Sequence, residues 1–253
     1  MKSRLMSRAL TRPCPAPAAL PLVPPHRPAA APACGTYFVG LGGAGMRALA
    51  AVMAGRGGTV WGSERSAAAR RELAQLGWHV AADDRVADVA GDDGAVDGGP
   101  LELLARSQRL VYSDAVPWDH PQRCLARSWG IPEISYAQML GRWMAQGEGL
   151  AVAGTHGKST ITAMAAQILT TAGQDPSFVC GAAPVAGSRT GGRAGGGRLF
   201  LAEACEYRRN FLHLCPQAAV VSGVEADHFE TYETREELER GFAEFVERIP
   251  PRG

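Results

Sequence analysis

Between Ala151 and Thr160 an apolar run breaks into Gly154-Thr155-His156-Gly157-Lys158-Ser159-Thr160. Glycines, a lysine and hydroxyls in this order suit a phosphate. Backbone N–H groups ring the oxyanions, the following helix turns its positive end toward them, and the ammonium neutralises charge. In such a loop Lys158 reaches the β- and γ-phosphates of a nucleotide, and the Ser159 hydroxyl holds Mg²⁺. The spacing is unusual. A standard phosphate loop has four residues between its first glycine and the Gly-Lys pair. Here that first position is Val152, and the loop is shortened to start at Gly154.

A second glycine turn lies upstream, in Gly40-Leu41-Gly42-Gly43-Ala44-Gly45-Met46. A G-x-G-x-x-G run after a strand and before a helix matches the dinucleotide fingerprint, in which a tight turn brings backbone N–H groups to a pyrophosphate. Glu64, at the end of the next apolar run, falls where a ribose-binding acid would sit. Taken alone, this cluster suits a nicotinamide-dependent oxidoreductase, a UDP-sugar site or a turn needed only for packing.

Two further places offer metal ligands. Glu203 closes the apolar run Arg198–Ala204, and Glu225, Asp227 and His228 follow another, Ala218–Val224. Carboxylate and imidazole beyond the carboxyl ends of strands can complete a Mg²⁺ shell beside a phosphate loop. Each also reads alone as a solvated strand end or a hydrogen-bonded histidine. Arg208 and Arg209 can clamp a carboxylate or phosphate, or simply face solvent.

The elements that must position these groups alternate. From Thr36 the pattern gives strand, glycine turn and helix, then a strand at Thr59–Ser63 and a helix over 66–76. It continues with a strand at 109–113, helices over 120–130 and 135–147, and a loop rich in Asp and Gly at 81–100. It restarts at Leu150 with a strand, the phosphate loop and a helix to Gly173. Strands at 198–204 and 218–224 follow, and a helix from Arg235 with Thr234 as its cap. Residues 187–197, dense in glycine, read as a flexible loop. The pattern predicts two α/β units, each a mostly parallel sheet covered by helices. The first is a Rossmann-like domain over 35–147. The second is a phosphate-loop ATPase domain over 148–253, which carries fewer strands than a doubly wound unit would.

The bulk numbers suit an ordinary globular chain. A net charge of +1 over 253 residues gives no reason to expect nucleic acid or an anionic membrane as partner. The six cysteines form no C-x-x-C pair, which favours reduced thiols and a cytoplasmic setting over a zinc site or disulfide framework. Residues 1–34 lack any acidic residue and are rich in Pro, Ala and Arg. They read as a disordered tail outside the fold.

Together, "FVGLGGAGMRALA", "AVAGTHGKSTIT", "LAEACEYRRNFLHLCPQAAVVSGVEADHFETY" and "GFAEFVERIP" resemble the Mur ligases, in matching order over about 36–250. The shortened G-T-x-G-K-[ST] loop is typical of that family. The resemblance implies an ATP- and Mg²⁺-dependent ligase that phosphorylates the lactyl carboxylate of UDP-N-acetylmuramate, after which the amine of L-alanine attacks the acyl phosphate. It implies that residues 154–160 bind ATP, that Ser159 and Glu203 hold one Mg²⁺ and His228 a second, and that Lys158 holds the phosphates. Gly42, Gly43, Ala44, Gly45 and Met46 would then take the UDP diphosphate, with Glu64 and Ser113 near the nucleotide. Ser159 stands where Thr is commoner, Glu64 where Asp is, and "EACEY" where "EADES" is. Family members carry a further C-terminal domain, so the expectation is a fragment, a truncated gene product or half of a split enzyme partnered by a separately encoded portion, which cannot complete the reaction unaided. A ligase that adds a peptide to UDP-N-acetylmuramate, and a non-catalytic binding protein, are the alternatives.

Overall fold

The computed structural model describes residues 35–83, 99–183, 185–225 and 231–251. Segment 1–34, most of the Asp/Gly-rich stretch, and His228 with its neighbour Asp227 lie outside the described residues.

The first unit opens with β1 (Gly35–Val39), whose five residues are all buried, as expected of a central parallel strand. Helix α1 (Ala44–Gly55) follows the glycine turn, then β2 (Thr59–Glu64), α2 (Ala67–Ala74) and β3 (His79–Ala82). Helix α3 (Pro100–Ala105), β4 (Ser107–Tyr112), α4 (Pro121–Ser128), β5 (Glu133–Ser135) and α5 (Tyr136–Met144) complete it. The strands form one all-parallel sheet in the order β3-β2-β1-β4-β5. Strand order reverses between β1 and β4, which leaves a crevice at the carboxyl ends of these two strands.

Local chemistry sets the helix starts. Ser66 caps α2 by accepting from Ala69 N, and α3 and α4 carry proline in the first turn. At α5, Ser135 and Gln138 form a reciprocal capping box. Strands β3 and β5 and helix α3 are too short to register as periodic patterns in the sequence.

The second unit runs β6 (Glu148–Ala153), α6 (Lys158–Thr171), β7 (Ser177–Val179), β8 (Gly192–Arg193) and β9 (Leu199–Glu203). A 3-10 segment (Tyr207–His213), β10 (Ala218–Val221) and α7 (Arg235–Val246) follow. Its sheet order is β10-β6-β9-β7-β8, parallel except for β8. Thr234 caps α7, as its sequence position predicts.

The glycine-dense stretch 187–197 is not a free loop. It carries β8, paired antiparallel to β7, and it presses on α1 of the first unit. A Cβ on Gly192 would lie 1.9 Å from the Ala48 carbonyl oxygen, and one on Gly55 would lie 2.8 Å from the Ala194 methyl. The glycines serve close approach rather than mobility. Helix α1 is thus covered on both sides, by its own sheet and by β7–β8, which explains the apolar residues around most of its circumference. One hydrophobic core runs through both units, from Phe38 and Val52 to Phe200 and Phe245. In the same core Phe211 meets Phe242 edge-on at 5.2 Å and stacks on Phe245 at 5.0 Å.

Candidate functional site

Both glycine turns are built alike. Strand β1 is followed by Gly40 at φ +73°, and the N–H groups of Gly40 and Leu41 both donate to the Ser63 carbonyl. Gly43 is the N-cap of α1, so the first N–H groups of that helix, at Ala44, Gly45 and Met46, have no carbonyl to bond within it. The Met46 side chain itself is buried in the core. Strand β6 is followed by Gly154 at φ +127°, and Gly157 at φ +81° caps α6, leaving the N–H groups of Lys158, Ser159 and Thr160 in the same position.

The phosphate loop is fastened to the end of β10. Thr155 N donates to Gly223 O at 2.9 Å. The buried Thr155 hydroxyl donates to Glu225 O at 3.1 Å and accepts from Glu225 N at 2.9 Å. Ser222 Oγ donates to the His156 carbonyl. His156 itself is exposed, 3.8 Å from the Glu225 carboxylate.

Lys158 folds back on its own loop. Its ammonium donates to Gly154 O at 2.6 Å, to Thr155 O at 3.1 Å and to Glu206 Oε1 at 3.0 Å. Glu206 is fully buried, and its carbonyl accepts from Tyr232 Oη at 2.9 Å. Sequence reasoning passed over Glu206. The available signal was a second acid three residues after Glu203, in the same apolar surroundings.

Glu203, at the carboxyl end of β9, accepts from Gly181 N at 2.9 Å and lies 3.6 Å from Cys180 Sγ. A Cβ on Gly181 would sit 2.7 Å from Glu203 Oε2 and 3.7 Å from Ser159 Oγ, so the two oxygens border the same small space. A hydroxyl and a carboxylate are the hard oxygen donors that Mg²⁺ prefers, so this pair fits the ion. Burial pushes the Cys180 thiol up to about 11, with Glu203 beside it adding to the rise.

Between the two units lies a cavity of about 190 Å³. Gly45 and Tyr136 from the first unit line it together with Gly181, Glu203, Cys205 and Asn210 from the second. At its border Asn210 Nδ2 donates to the Asp114 carboxylate, next to Ser113, and Arg208 reaches the Asp114 carbonyl at 3.4 Å. Arg209 pairs with Glu244 instead of facing the cavity. Arg208 and Arg209 both adopt left-handed backbone, at φ +51° and +60°, in the segment that joins Glu206 to Asn210.

Glu64 is spoken for within its own unit. Its carboxylate accepts from Gly42 N at 2.8 Å and from Ser66 N at 2.9 Å, which holds the first glycine turn in shape. A buried polar group sits nearby. Ser63 Oγ and Arg65 Nε each lie 3.0 Å from Asp83, and His120 Nε2 lies 3.3 Å away. Burial raises the Asp83 carboxyl, but hydrogen bonds from His120, Arg65 and Ser63 outweigh it and hold the group down at about 2. No described helix is long and apolar enough to cross a membrane.

Two family profiles match the chain in tandem. One, described as Mur ligase family, catalytic domain, covers residues 36–148; the other, Mur ligase middle domain, covers 152–253. Among curated proteins, the chain is 38% identical over 216 residues to the UDP-N-acetylmuramate–L-alanine ligase of Herminiimonas arsenicoxydans. It is 39% identical over the same length to that of Methylobacillus flagellatus. Each alignment takes in 85% of this chain and 43% or 42% of the relative, so the chain spans less than half the length of these relatives. Among solved structures, it superposes with TM-score 0.72 on the UDP-N-acetylmuramate:L-alanyl-gamma-D-glutamyl-meso-diaminopimelate ligase of Neisseria meningitides, covering 87% of this chain and 69% of that one. The TM-score is 0.71 for the UDP-N-acetylmuramate-alanine ligase of Thermotoga maritima, over 85% of this chain and 47% of that one. At 24% identity these two likenesses show the fold alone.

Proposed function

The chain belongs to the Mur ligase family, and from that premise we propose that it supplies the UDP-sugar-binding and ATP-binding parts of a UDP-N-acetylmuramate–L-alanine ligase. The observation that carries this reading is an inter-unit cavity walled by Gly45 of the first glycine turn and by Glu203, whose carboxylate borders the same small space as the Ser159 hydroxyl of the second. A donor phosphate at one turn and a diphosphate-linked sugar at the other would meet there.

In this reading the N–H groups of Lys158, Ser159 and Thr160, at the start of α6, hold the ATP phosphates, and the Lys158 ammonium supplies positive charge beside them. Ser159 and Glu203 would hold Mg²⁺, which when bound neutralises phosphate charge; His228 is assigned to a second ion by family resemblance. The N–H groups of Ala44, Gly45 and Met46 take the UDP diphosphate, with Gly42 and Gly43 shaping the turn and Ser113 beside the nucleotide. Glu64 acts by fixing the Gly42 backbone. The sugar's lactyl carboxylate attacks the γ-phosphorus and ADP leaves. The L-alanine amine then attacks the acyl carbon, expelling phosphate as the amide forms. The residues named here act by positioning and charge, as phosphoryl transfer requires. The names of the curated relatives favour alanine over a preformed peptide as the acceptor.

Calorimetric titration of the chain with UDP-N-acetylmuramate, and with a non-hydrolysable ATP analogue plus Mg²⁺, tests the proposal. Saturable binding of both, with the sugar nucleotide lost on bulky replacement of Gly45, is the expected outcome. A folded chain that binds neither would overturn it.

A further inference from the structure

Tyr136 is the first residue of α5, and its position is fixed from two sides. The Ser135–Gln138 capping box sets the helix start, and the ring lies against Gly45, where a Cβ would meet the phenol oxygen and its ring carbon at 3.0 Å. The side chain lines the inter-unit cavity together with Glu203, Cys205 and Asn210.

The polar groups in that wall are not equivalent. Glu203 is an acceptor, already bonded to Gly181 N. The Asn210 amide donates to Asp114. No lysine or arginine is among the lining residues. The Tyr136 hydroxyl stands apart, because no group among the described residues hydrogen-bonds it. An ordinary phenol keeps its proton at neutral pH, so this hydroxyl can donate. A neutral rotatable O–H donor beside a carboxylate acceptor suits an anionic oxygen that must rest close to Glu203.

We propose that Tyr136 is the carboxylate-recognising residue of the cavity, its hydroxyl donating to the lactyl carboxylate of the sugar nucleotide held at the first glycine turn. This rests on the UDP-sugar reading given above and deepens it. The tyrosine holds the nucleophilic carboxylate in place, and it separates a lactyl-bearing sugar nucleotide from one that lacks the lactyl group.

The test compares UDP-N-acetylmuramate with UDP-N-acetylglucosamine, which differs by the missing lactyl ether, on the full chain and on Tyr136→Phe. The wild-type chain is expected to prefer the lactyl sugar. The Phe variant is expected to lose about tenfold in affinity for it, the size of a hydrogen bond to a charged acceptor, while binding UDP-N-acetylglucosamine unchanged. Equal affinity of both proteins for UDP-N-acetylmuramate overturns the assignment and leaves the UDP-sugar reading intact. Equal losses for both ligands also overturn it, since the hydroxyl would then act on the shared part or on the fold. If the wild-type chain binds neither ligand, both readings fall. Should the Phe variant not fold, Tyr136→His, which keeps a ring and a donor, must retain the lactyl preference for the assignment to stand.

Discussion

Lys158 Nζ lies 3.0 Å from Glu206 Oε1, and the carboxylate side of this ion pair is fully shielded from solvent. Three acceptors take the three ammonium protons, so the Lys158 side chain is held in place by the protein itself. Removing either partner strands the other charge. Lys158→Met is expected to lower unfolding free energy by about 3–5 kcal/mol as well as nucleotide affinity. Glu206→Gln is expected to cost less, because the amide keeps one hydrogen bond. Urea denaturation of both single variants and the double variant should show strong coupling; additive losses would mean that the pair contributes nothing as a pair.

Gly154 is the loop position with no room for a side chain. A Cβ there would stand 2.2 Å from Ser222 Oγ, on a backbone that L-residues rarely adopt. Gly154→Ala is expected to destabilise by about 1–3 kcal/mol and to abolish binding of the ATP analogue. Gly223→Ala, with nothing within 4 Å of its Cβ, is the control and should be close to neutral. Thermal melts and analogue titration of the two variants check this directly.

The Asp83 cluster makes a prediction about acid. Its folded carboxyl is held at about 2, below the ordinary value near 3.9, so the stability it contributes is full above that ordinary value. That contribution disappears as pH falls through the folded value. The difference in Tm between the wild-type chain and Asp83→Asn should be constant from pH 7 to 5 and shrink between about pH 4 and 2. A difference that instead grows on acidification would contradict the assignment.

The thiols should react unequally. Cys180 is buried and its thiol is pushed up to about 11, and Cys205 is raised as well, chiefly by burial. Cys215 is exposed. Brief iodoacetamide treatment at pH 8, read by peptide mass spectrometry, should label Cys215 and spare Cys180 and Cys205, because the thiolate is the nucleophile. Labelling of Cys180 at the rate of Cys215 would show that the phosphate-loop side of the cavity opens in solution.

How much of this was legible in the sequence depends on the range of the interaction. Glycine turns, strand-to-helix order and the Thr234 cap are set by residues within a few positions of each other, and they are readable from spacing alone. The Lys158–Glu206 pair spans 48 positions, and Tyr136 meets Gly45 across 91. Nothing local marks either partner. Glu64 shows the opposite failure. Its position was legible but its job was not, since only the fold brings the Gly42 N–H to its carboxylate. Residues 187–197 misled because glycine signals both freedom and close packing, and only the neighbour at Ala48 tells which applies.

That packing has a mechanical consequence. Gly192 touches α1 at Ala48, and Ala194 touches it at Gly55, two points about 10 Å apart along the helix axis. The second sheet cannot slide along or tilt across α1 without colliding at one of them. The hydrophobic core shared by the two units and the Asn210–Asp114 contact hold the seam elsewhere. The distance between the two glycine turns is therefore set by backbone packed on backbone, and a side chain added at Gly192 or Gly55 would disturb both turns at once.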